Sequence, residues 1–236
     1  MAEPLILIPT LMADARAYLS LINAQLPRRA VHIVLPQGPG GVSDWAARAL
    51  REAPPRFCLV GHGLGALVAA EMALGAPDRV SRMVLIGGAA QPDIPARIAD
   101  QEKLLVQAGA GSLGAAVLAL TGVSEMPTGA DRAALEDLVL AMSFDLGVKV
   151  FTQQLRALQR RTDRQARLRK IPCPTLLLAA ERDPVFAPRQ LELMSHMLPN
   201  ASLRQVSGAG FWMPVEMPQR LAELISDFLP EPLMLE

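Results

Sequence analysis

Few side chains in this sequence could take part in catalysis, and one of them lies in an unusual turn. The chain has three histidines, the usual proton-transfer groups near neutral pH: His32, His62 and His196. The second belongs to Gly61-His62-Gly63-Leu64-Gly65, which follows an apolar run and leads into a pattern of small and apolar residues. This order predicts a buried strand, a sharp turn and a helix. The residue at the centre of the turn is Gly63, which has no side chain.

Neither cysteine is placed like a nucleophile or a disulfide partner. Cys58 lies within the apolar run before the glycine turn, and Cys173 lies beside another apolar run. A buried cysteine among apolar residues is normally unreactive, so both are predicted to be reduced core residues. This use of cysteine indicates a cytoplasmic protein. No histidine, cysteine or carboxylate residues show the spacing of metal ligands, so neither a metal nor a cofactor is expected.

The composition argues against several classes of partner. The chain has 236 residues, of which 51% are hydrophobic, and its 23 basic and 23 acidic side chains cancel. Binding to nucleic acid or to an anionic membrane needs a clustered positive field, so neither is expected. No run of about 18 apolar residues is present to span a membrane. The first residues also lack the basic start and long apolar run of a signal peptide.

The elements around the glycine turn alternate between strands and helices. Apolar runs predict strands at residues 5–8, 31–35, 82–86, 175–179 and 202–206, in addition to the strand before the turn. Helical patterns occur at residues 14–26, 42–53, 188–198 and 218–229, and after the turn itself. This alternation predicts an α/β fold with a mainly parallel sheet of about six strands and helices on both faces. The last strand alternates polar and apolar residues and is expected at the sheet edge.

Residues 89–170 interrupt this alternation. Their helical patterns fall at residues 94–108, 112–120, 131–144 and 145–159, with no strand candidate between them. We therefore predict an α/β core of residues 1–88 and 171–236, with 89–170 as a helical insertion in the same structural domain. An insertion that follows a strand of a parallel sheet is expected above the carboxyl ends of the strands, where ligands bind. We interpret it as a cap.

Five short motifs, in this order along the chain, resemble the alpha/beta hydrolase superfamily. They are Ile8-Pro9-Thr10-Leu11-Met12, the glycine turn, Ala76-Pro77-Asp78-Arg79-Val80, Ala180-Glu181-Arg182-Asp183-Pro184 and Gly208-Ala209-Gly210-Phe211-Trp212. The chain looks most like the compact bacterial esterase-like branch, and the resemblance covers nearly its whole length. The resemblance implies an alpha/beta-hydrolase fold with a helical cap.

The resemblance also implies where a catalytic triad would lie. In the family the turn reads G-x-S-x-G, and its serine attacks a carbonyl with the help of a histidine and an acid. The matching positions here are Gly63 for the nucleophile, Phe211 for the histidine and Asp183 for the acid, so two of the three groups are replaced. The family's oxyanion hole uses backbone amides, here those of Leu11 and Leu64. Those amides need no particular side chain and could still bind a carbonyl oxygen.

Two of the remaining polar residues have a structural interpretation beside the functional one. His62 shares the turn with Gly63, yet a packed, hydrogen-bonded core histidine is the favoured interpretation. Asp183-Pro184 behind a strand is a good loop initiator, so Asp183 is either a remnant acid or a turn former.

An apolar cavity follows from the family geometry. The predicted ligand-binding residues are Leu11, Met12, Gly63, Leu64, Phe144, Phe211 and Trp212. Methionine and aromatic side chains would make such a cavity adaptable and suited to a small apolar or acyl-type molecule. The same side chains could equally be ordinary core, and both interpretations remain open.

Basic residues recur near the end of the insertion. Arg156, Arg160, Arg164 and Arg167 are spaced by four, four and three residues, which would align them on one helical face. A solvated helix face is the ordinary interpretation of such a pattern. The alternative is a site where an anionic ligand or a protein partner docks.

These features support four hypotheses about function. The first is a hydrolase-fold protein without a working triad that binds a small apolar or acyl-type molecule. The second is a non-covalent enzyme, such as a lyase, isomerase or cyclase, that uses the capped cavity and the oxyanion amides. The third is an esterase represented by an inactivated variant, and the fourth is a partner-binding protein that uses its outer surface.

Overall fold

A computed structural model describes residues 3–24, 29–126 and 130–229 of the chain. Six strands form one sheet: β1 Leu5–Ile8, β2 Val31–Ile33, β3 Phe57–His62, β4 Val80–Ile86, β5 Thr175–Ala180 and β6 Ala201–Val206. They lie in the order β2-β1-β3-β4-β5-β6, and every neighbouring pair is parallel. The predicted parallel sheet of about six strands is therefore confirmed, with β6 at one edge as expected.

Helices connect the strands. Those in the described residues are α1 Arg16–Asn23, α2 Val42–Glu52, α3 Leu64–Gly75, α4 Pro95–Gly109, α5 Leu113–Leu120, α6 Ala130–Gln159, α7 Gln165–Leu168, α8 Pro188–Ser195, α9 Met213–Glu216 and α10 Pro218–Phe228. A short 3₁₀ turn, Val123–Glu125, follows α5. None of these helices combines the length and apolarity needed to cross a membrane. The C-terminal residues 230–236, for which fraying was predicted, lie outside the described residues.

Helices cover both faces of the sheet. Because the side chains of a strand alternate in direction, each strand contributes to a core on either face. In β1, Leu5 and Leu7 face one core, where they pack with Tyr18 of α1 and Leu221 of α10. Ile6 and Ile8 face the other core, which includes Trp45 of α2 and most of α3. Burial on both faces explains why β1, β3 and β5 are apolar throughout rather than alternating.

Four helices and the 3₁₀ turn lie between β4 and β5. Helix α5 packs against α4 and α6. The two helices predicted at residues 131–144 and 145–159 are both present within α6, which is broken at Gly147, where φ is 78° and ψ is 168°. Glycine accepts a positive φ without the steric penalty of other residues, so the chain bends there while the helical segments on both sides continue.

Hydrogen bonds tie α6 to the loop after β1. The Met12 amide donates to Oε1 of Gln154 at 2.8 Å, and Nε2 of Gln154 donates to the Pro36 carbonyl at 2.8 Å. Arg16 also forms an ion pair with Asp145 at 2.7 Å. These contacts hold the second half of α6 next to the loops at the carboxyl ends of β1 and β2.

Candidate functional site

The centre of the candidate site is the turn between β3 and α3, which we call the elbow (residues 61–65). Gly63 occupies it with φ 53° and ψ −109°, and its amide donates to the Ile86 carbonyl at 2.9 Å. Close packing requires glycine at a second position, since a Cβ on Gly65 would lie 2.0 Å from the Ile8 carbonyl oxygen. The predicted strand, sharp turn and helix are thus present. A backbone conformation of this kind favours glycine and strains any other residue.

The space in front of Gly63 is filled by two side chains. A Cβ placed on Gly63 would lie 2.3 Å from Oγ1 and 3.1 Å from Cβ of Thr10. The same Cβ would lie 3.5 Å from Cε2 of Phe211. Thr10 therefore occupies the volume that a side chain on Gly63 would need.

The position of the triad histidine is taken by an aromatic cluster. The Phe211 ring lies 4.7 Å from the His62 ring and 6.1 Å from the Phe186 ring, centre to centre. His62 is buried and hydrogen-bonded to the backbone of Phe211. Desolvation lowers the pKa of His62 to about 4, and the hydrogen bond opposes this only in part. His62 is therefore a neutral core side chain at pH 7, in agreement with the structural interpretation of this residue.

The position of the triad acid is held by a turn. Oδ1 of Asp183 accepts hydrogen bonds from the amides of Val185 at 2.8 Å and Phe186 at 2.9 Å. Burial raises the pKa of Asp183 to about 6, and the nearby charge of Glu216 acts in the same direction. These bonds match the predicted role of Asp183 as a turn former, and all of its described hydrogen bonds go to backbone amides.

The two predicted oxyanion amides lie at one small cavity above the elbow. This elbow cavity has a volume of about 30 Å³, and Thr10, Leu11, Leu64 and Phe211 contribute to its wall. Within the described residues, no hydrogen bond uses the amide of Leu11 or Leu64. The amides remain available for an acceptor, but the cavity holds little more than one water molecule.

Charged side chains of the insertion close the elbow cavity on its other side. Asp93, Arg97, Gln101 and Arg161 belong to its wall. Arg161 and Asp93 form a buried ion pair at 2.7 Å, and Nε2 of Gln101 donates to Asp93 at 3.0 Å. This network fixes the side chains on that part of the wall, because breaking a buried ion pair is costly.

A larger cavity lies beside the elbow, and we call it the side cavity. It has a volume of about 310 Å³. Its lining residues are Thr121, Gly122, Glu125, Met126, Arg182, Pro184, Gly210, Phe211, Trp212 and Glu216. One part of the wall is apolar, with Met126, Phe211 and Trp212. Charge comes from one arginine and two glutamates: Arg182, Glu125 and Glu216. This combination suits a molecule that has an apolar body and one polar group.

Glu216 holds the loop that carries Phe211. Its Oε2 accepts the Gly210 amide and its Oε1 accepts the Trp212 amide, both at 2.8 Å. Burial raises the pKa of Glu216, and the two amide bonds oppose that effect. Sequence reasoning missed Glu216, although its place four residues after Trp212, at the end of a short helix, is a signal that could have found it.

The structure brings together only some of the predicted ligand-binding residues. Phe211 and Trp212 line the side cavity, while Leu11 and Leu64 line the elbow cavity. Met12 is fully buried in the core and Phe144 is 63% exposed on α6, and neither lines one of the described cavities. The 3₁₀ turn and its flanks, which contribute Thr121 and Met126, carry no sequence motif and were missed.

The predicted single helical face of arginines is wrong. Helix α6 ends at Gln159, so Arg156 lies on it, whereas Arg164 precedes α7 and Arg167 belongs to α7. Arg164 and Arg167 form ion pairs with the buried carboxylate of Glu71, at 2.6 and 2.9 Å. A buried carboxylate is costly unless it is paired with a cation, and the segment after α6 places Arg164 and Arg167 next to Glu71. Among the described residues, no three potential ligands are grouped to hold a metal ion.

Comparisons with known proteins show the family and the fold to which the chain is similar. The provisionally named carbamate hydrolase RutD of Klebsiella pneumoniae is 31% identical over 158 residues, or 66% of this chain and 59% of that protein. The chain spans about half the length of the curated relatives that it matches.

Two solved structures share the fold. An esterase from Thermogutta terrifontis has a TM-score of 0.82 at 17% identity, covering 97% of this chain and 89% of its own. A hydrolase from Pseudomonas aeruginosa has a TM-score of 0.80 at 22% identity, covering 96% and 89%. The sequence profile of the alpha/beta hydrolase family matches residues 5–224. With six parallel strands and a glycine elbow in the expected places, the chain belongs to the alpha/beta hydrolase family.

Proposed function

We propose that this protein binds a small apolar or acyl-type molecule in the side cavity and does not cleave esters through a serine triad. One observation carries the proposal: the elbow has no nucleophilic side chain, and Thr10 fills the volume in which such a side chain would stand. Phe211 in place of the histidine removes the base as well. A triad enzyme needs both groups within hydrogen-bonding reach of each other.

The side cavity supports the binding half of the proposal. Its volume of about 310 Å³ falls within the range of small-molecule sites. The apolar side chains of Met126, Phe211 and Trp212 would contact an acyl chain, while Arg182 would pair with a carboxylate or carbonyl at its end. Carbonyl compounds are also the class that the name of the RutD relative implies for that protein. The two buried, free cysteines support a cytoplasmic location within the same proposal.

A non-covalent acid–base enzyme is the second candidate, and one observation favours it. Glu216 lies on the wall of the side cavity with a raised pKa. A carboxylate whose pKa is raised by burial holds a proton more readily than a solvated one, and such a group can take and return a proton. Such an enzyme would exchange or move a proton on its ligand without a covalent intermediate.

The binding test uses straight-chain carboxylates and a variant that fills the side cavity. Butyrate, hexanoate and octanoate are titrated into the purified protein, and the midpoint of thermal unfolding is followed. We expect octanoate to raise the midpoint in the wild type and in Val106→Trp, an exposed control that is not among the lining residues. Met126→Trp should abolish the rise because the indole occupies the cavity. Equal binding by Met126→Trp and wild type would contradict the assignment of the cavity.

Two further measurements separate binding from catalysis. Hydrolysis of p-nitrophenyl butyrate should equal the buffer blank; turnover that scales with protein and disappears in Met126→Trp would overturn the non-hydrolytic proposal. Octanoate incubated with the protein in D₂O should keep its α-protons by NMR. Deuterium uptake that is lost in Glu216→Gln would establish the acid–base enzyme instead.

A further inference from the structure

A third cavity lies on the other side of Arg161 from the elbow, and it is lined mainly by basic and polar groups. Its volume is about 610 Å³, and we call it the arginine cavity. Five arginines line it: Arg156, Arg160, Arg161, Arg164 and Arg167. Gly41, Val42 and Ser43, at the start of α2, form the facing wall. The side cavity and the arginine cavity have no lining residue in common.

The positive charge around this cavity exceeds the negative charge that faces it. Glu71 is shared by Arg164 and Arg167, so one carboxylate serves two guanidinium groups. Asp93 is likewise shared by Arg161, at 2.7 Å, and by Arg97, at 3.6 Å.

The remaining charges do not remove this excess. Arg160 forms no ion pair with any of the residues that the structure describes, whereas Arg156 pairs with Glu102. Asp44 is the one carboxylate on the cavity wall, and its Oδ2 accepts the Gly41 amide. The arginine cavity therefore has room for further negative charge.

Two of these arginines are buried with unused donors. The side chain of Arg161 is 4% exposed and that of Arg164 is 11% exposed. In each, Nε is buried and has no hydrogen-bond partner in the described part of the chain. Burial is the main cause that lowers the pKa of both groups, and neighbouring arginines lower it further. These Nε atoms have almost no accessible surface, so an acceptor in this cavity would meet the exposed Arg160 and Arg167 and would offset the excess positive charge of the whole arginine group.

The start of α2 adds donors to the opposite wall. The first amides of a helix, here those of Val42 and Ser43, have no acceptor within the helix. The aligned peptide dipoles also make this end of the 11-residue helix positive. The hydroxyl of Ser43 contacts Glu71 at 3.3 Å, which connects the start of α2 to Arg164 and Arg167. The backbone amides at the start of α2 and the guanidinium groups of the arginines thus line the same arginine cavity.

We infer that the arginine cavity binds a phosphate group. Arginine forks match the oxygen geometry of phosphate, and a helix start completes such sites in many proteins. A cavity of about 610 Å³ exceeds the size of phosphate alone and leaves room for a small polar molecule that carries it. No aromatic side chain lines the cavity, so stacking of a nucleobase is not part of the inference.

Titration calorimetry at constant ionic strength tests this inference. The probes are inorganic phosphate, glycerol 3-phosphate and pyrophosphate, with chloride as the background ion. Arg160→Gln and Arg167→Gln each remove one accessible charge; Arg220→Gln is the matched control, because it removes an exposed, ion-paired arginine of α10. We expect saturable binding that is weakened about tenfold by each cavity variant and unchanged in Arg220→Gln.

The outcomes are distinct. Tighter binding of glycerol 3-phosphate than of phosphate identifies a phosphorylated small molecule as the natural class, and equal binding identifies free phosphate. Absence of saturable binding by all three probes overturns the inference, as does equal weakening by Arg220→Gln. Binding of heparin without binding of the small probes would also overturn it, since that result indicates an acidic macromolecule on the surface. The result is independent of octanoate binding in the side cavity.

Discussion

The elbow cavity and the side cavity are neighbours with opposite properties. Both include Thr121 and Phe211 in their walls, yet the first measures about 30 Å³ and the second about 310 Å³. At the elbow, Thr10 and Phe211 fill the space that catalysis would need. Beside it, the 3₁₀ turn and the loop that carries Trp212 lie on different parts of the wall of the side cavity, with open space between them. The fold of the family is therefore retained, but Thr10 and Phe211 leave little open space at the elbow, and the larger cavity lies beside it.

The largest expected effect comes from restoring the family's nucleophile. Gly63→Ser should lower the free energy of unfolding by about 3 kcal/mol, through strain at a positive φ and contact with Thr10. Urea titration followed by circular dichroism measures this loss. An unchanged or higher stability would contradict the filled elbow.

A double-mutant cycle separates the two causes of that loss. Thr10→Gly removes the side chain that a Cβ on Gly63 would meet at 2.3 Å. In the Thr10→Gly background, Gly63→Ser should cost only the strain, about 1 to 2 kcal/mol. If the cost is the same in both backgrounds, Thr10 does not restrict the elbow.

The next effect concerns Asp183 and depends on pH. The pKa of Asp183 rises from 3.8 to about 6 on folding, so its contribution to stability is complete below about pH 3.8 and is lost as the pH rises through 6. Asn keeps an oxygen acceptor for the Val185 and Phe186 amides. Asp183→Asn should therefore raise the free energy of unfolding at pH 8 by up to about 3 kcal/mol and change it little at pH 4.

Asp163 supplies the matched control for this experiment. It is exposed, and its Oδ1 accepts the Gln165 amide in a similar turn. Asp163→Asn should change stability little at either pH because the residue is already solvated. A gain at pH 8 that is equal in both variants would mean that burial of Asp183 is not the cause.

The smallest effect distinguishes a residue on the protein surface from a residue that lines the side cavity. Phe144 was predicted to line the ligand cavity but is 63% exposed, so Phe144→Ser should change stability by less than about 0.5 kcal/mol. Octanoate binding should also be unchanged. Phe211→Ala is the contrast, since Phe211 lines the side cavity and its truncation should weaken octanoate binding. Loss of octanoate binding in Phe144→Ser would show that Phe144 contributes to the binding site after all.

Local sequence patterns were sufficient to predict the elements in which every residue is buried. The strand at residues 5–8 and the turn at Gly63 follow directly from apolar runs and glycine spacing. The arginine spacing misled because a period of about four residues describes a helix only while the helix continues. Buried Glu71, far away in sequence, draws Arg164 out of that helical register.

The order of residues alone was enough to specify a parallel α/β sheet and a glycine elbow. Periodicity and residue identity are local properties, and the chain carries them in any environment. The location of open space was decided only by folding, because it depends on which side chains from distant segments meet. Thr10 meets Gly63, Phe211 meets His62, and five arginines meet the start of α2. Such volumes and charge balances arise from contacts between elements and have no local signature in the sequence.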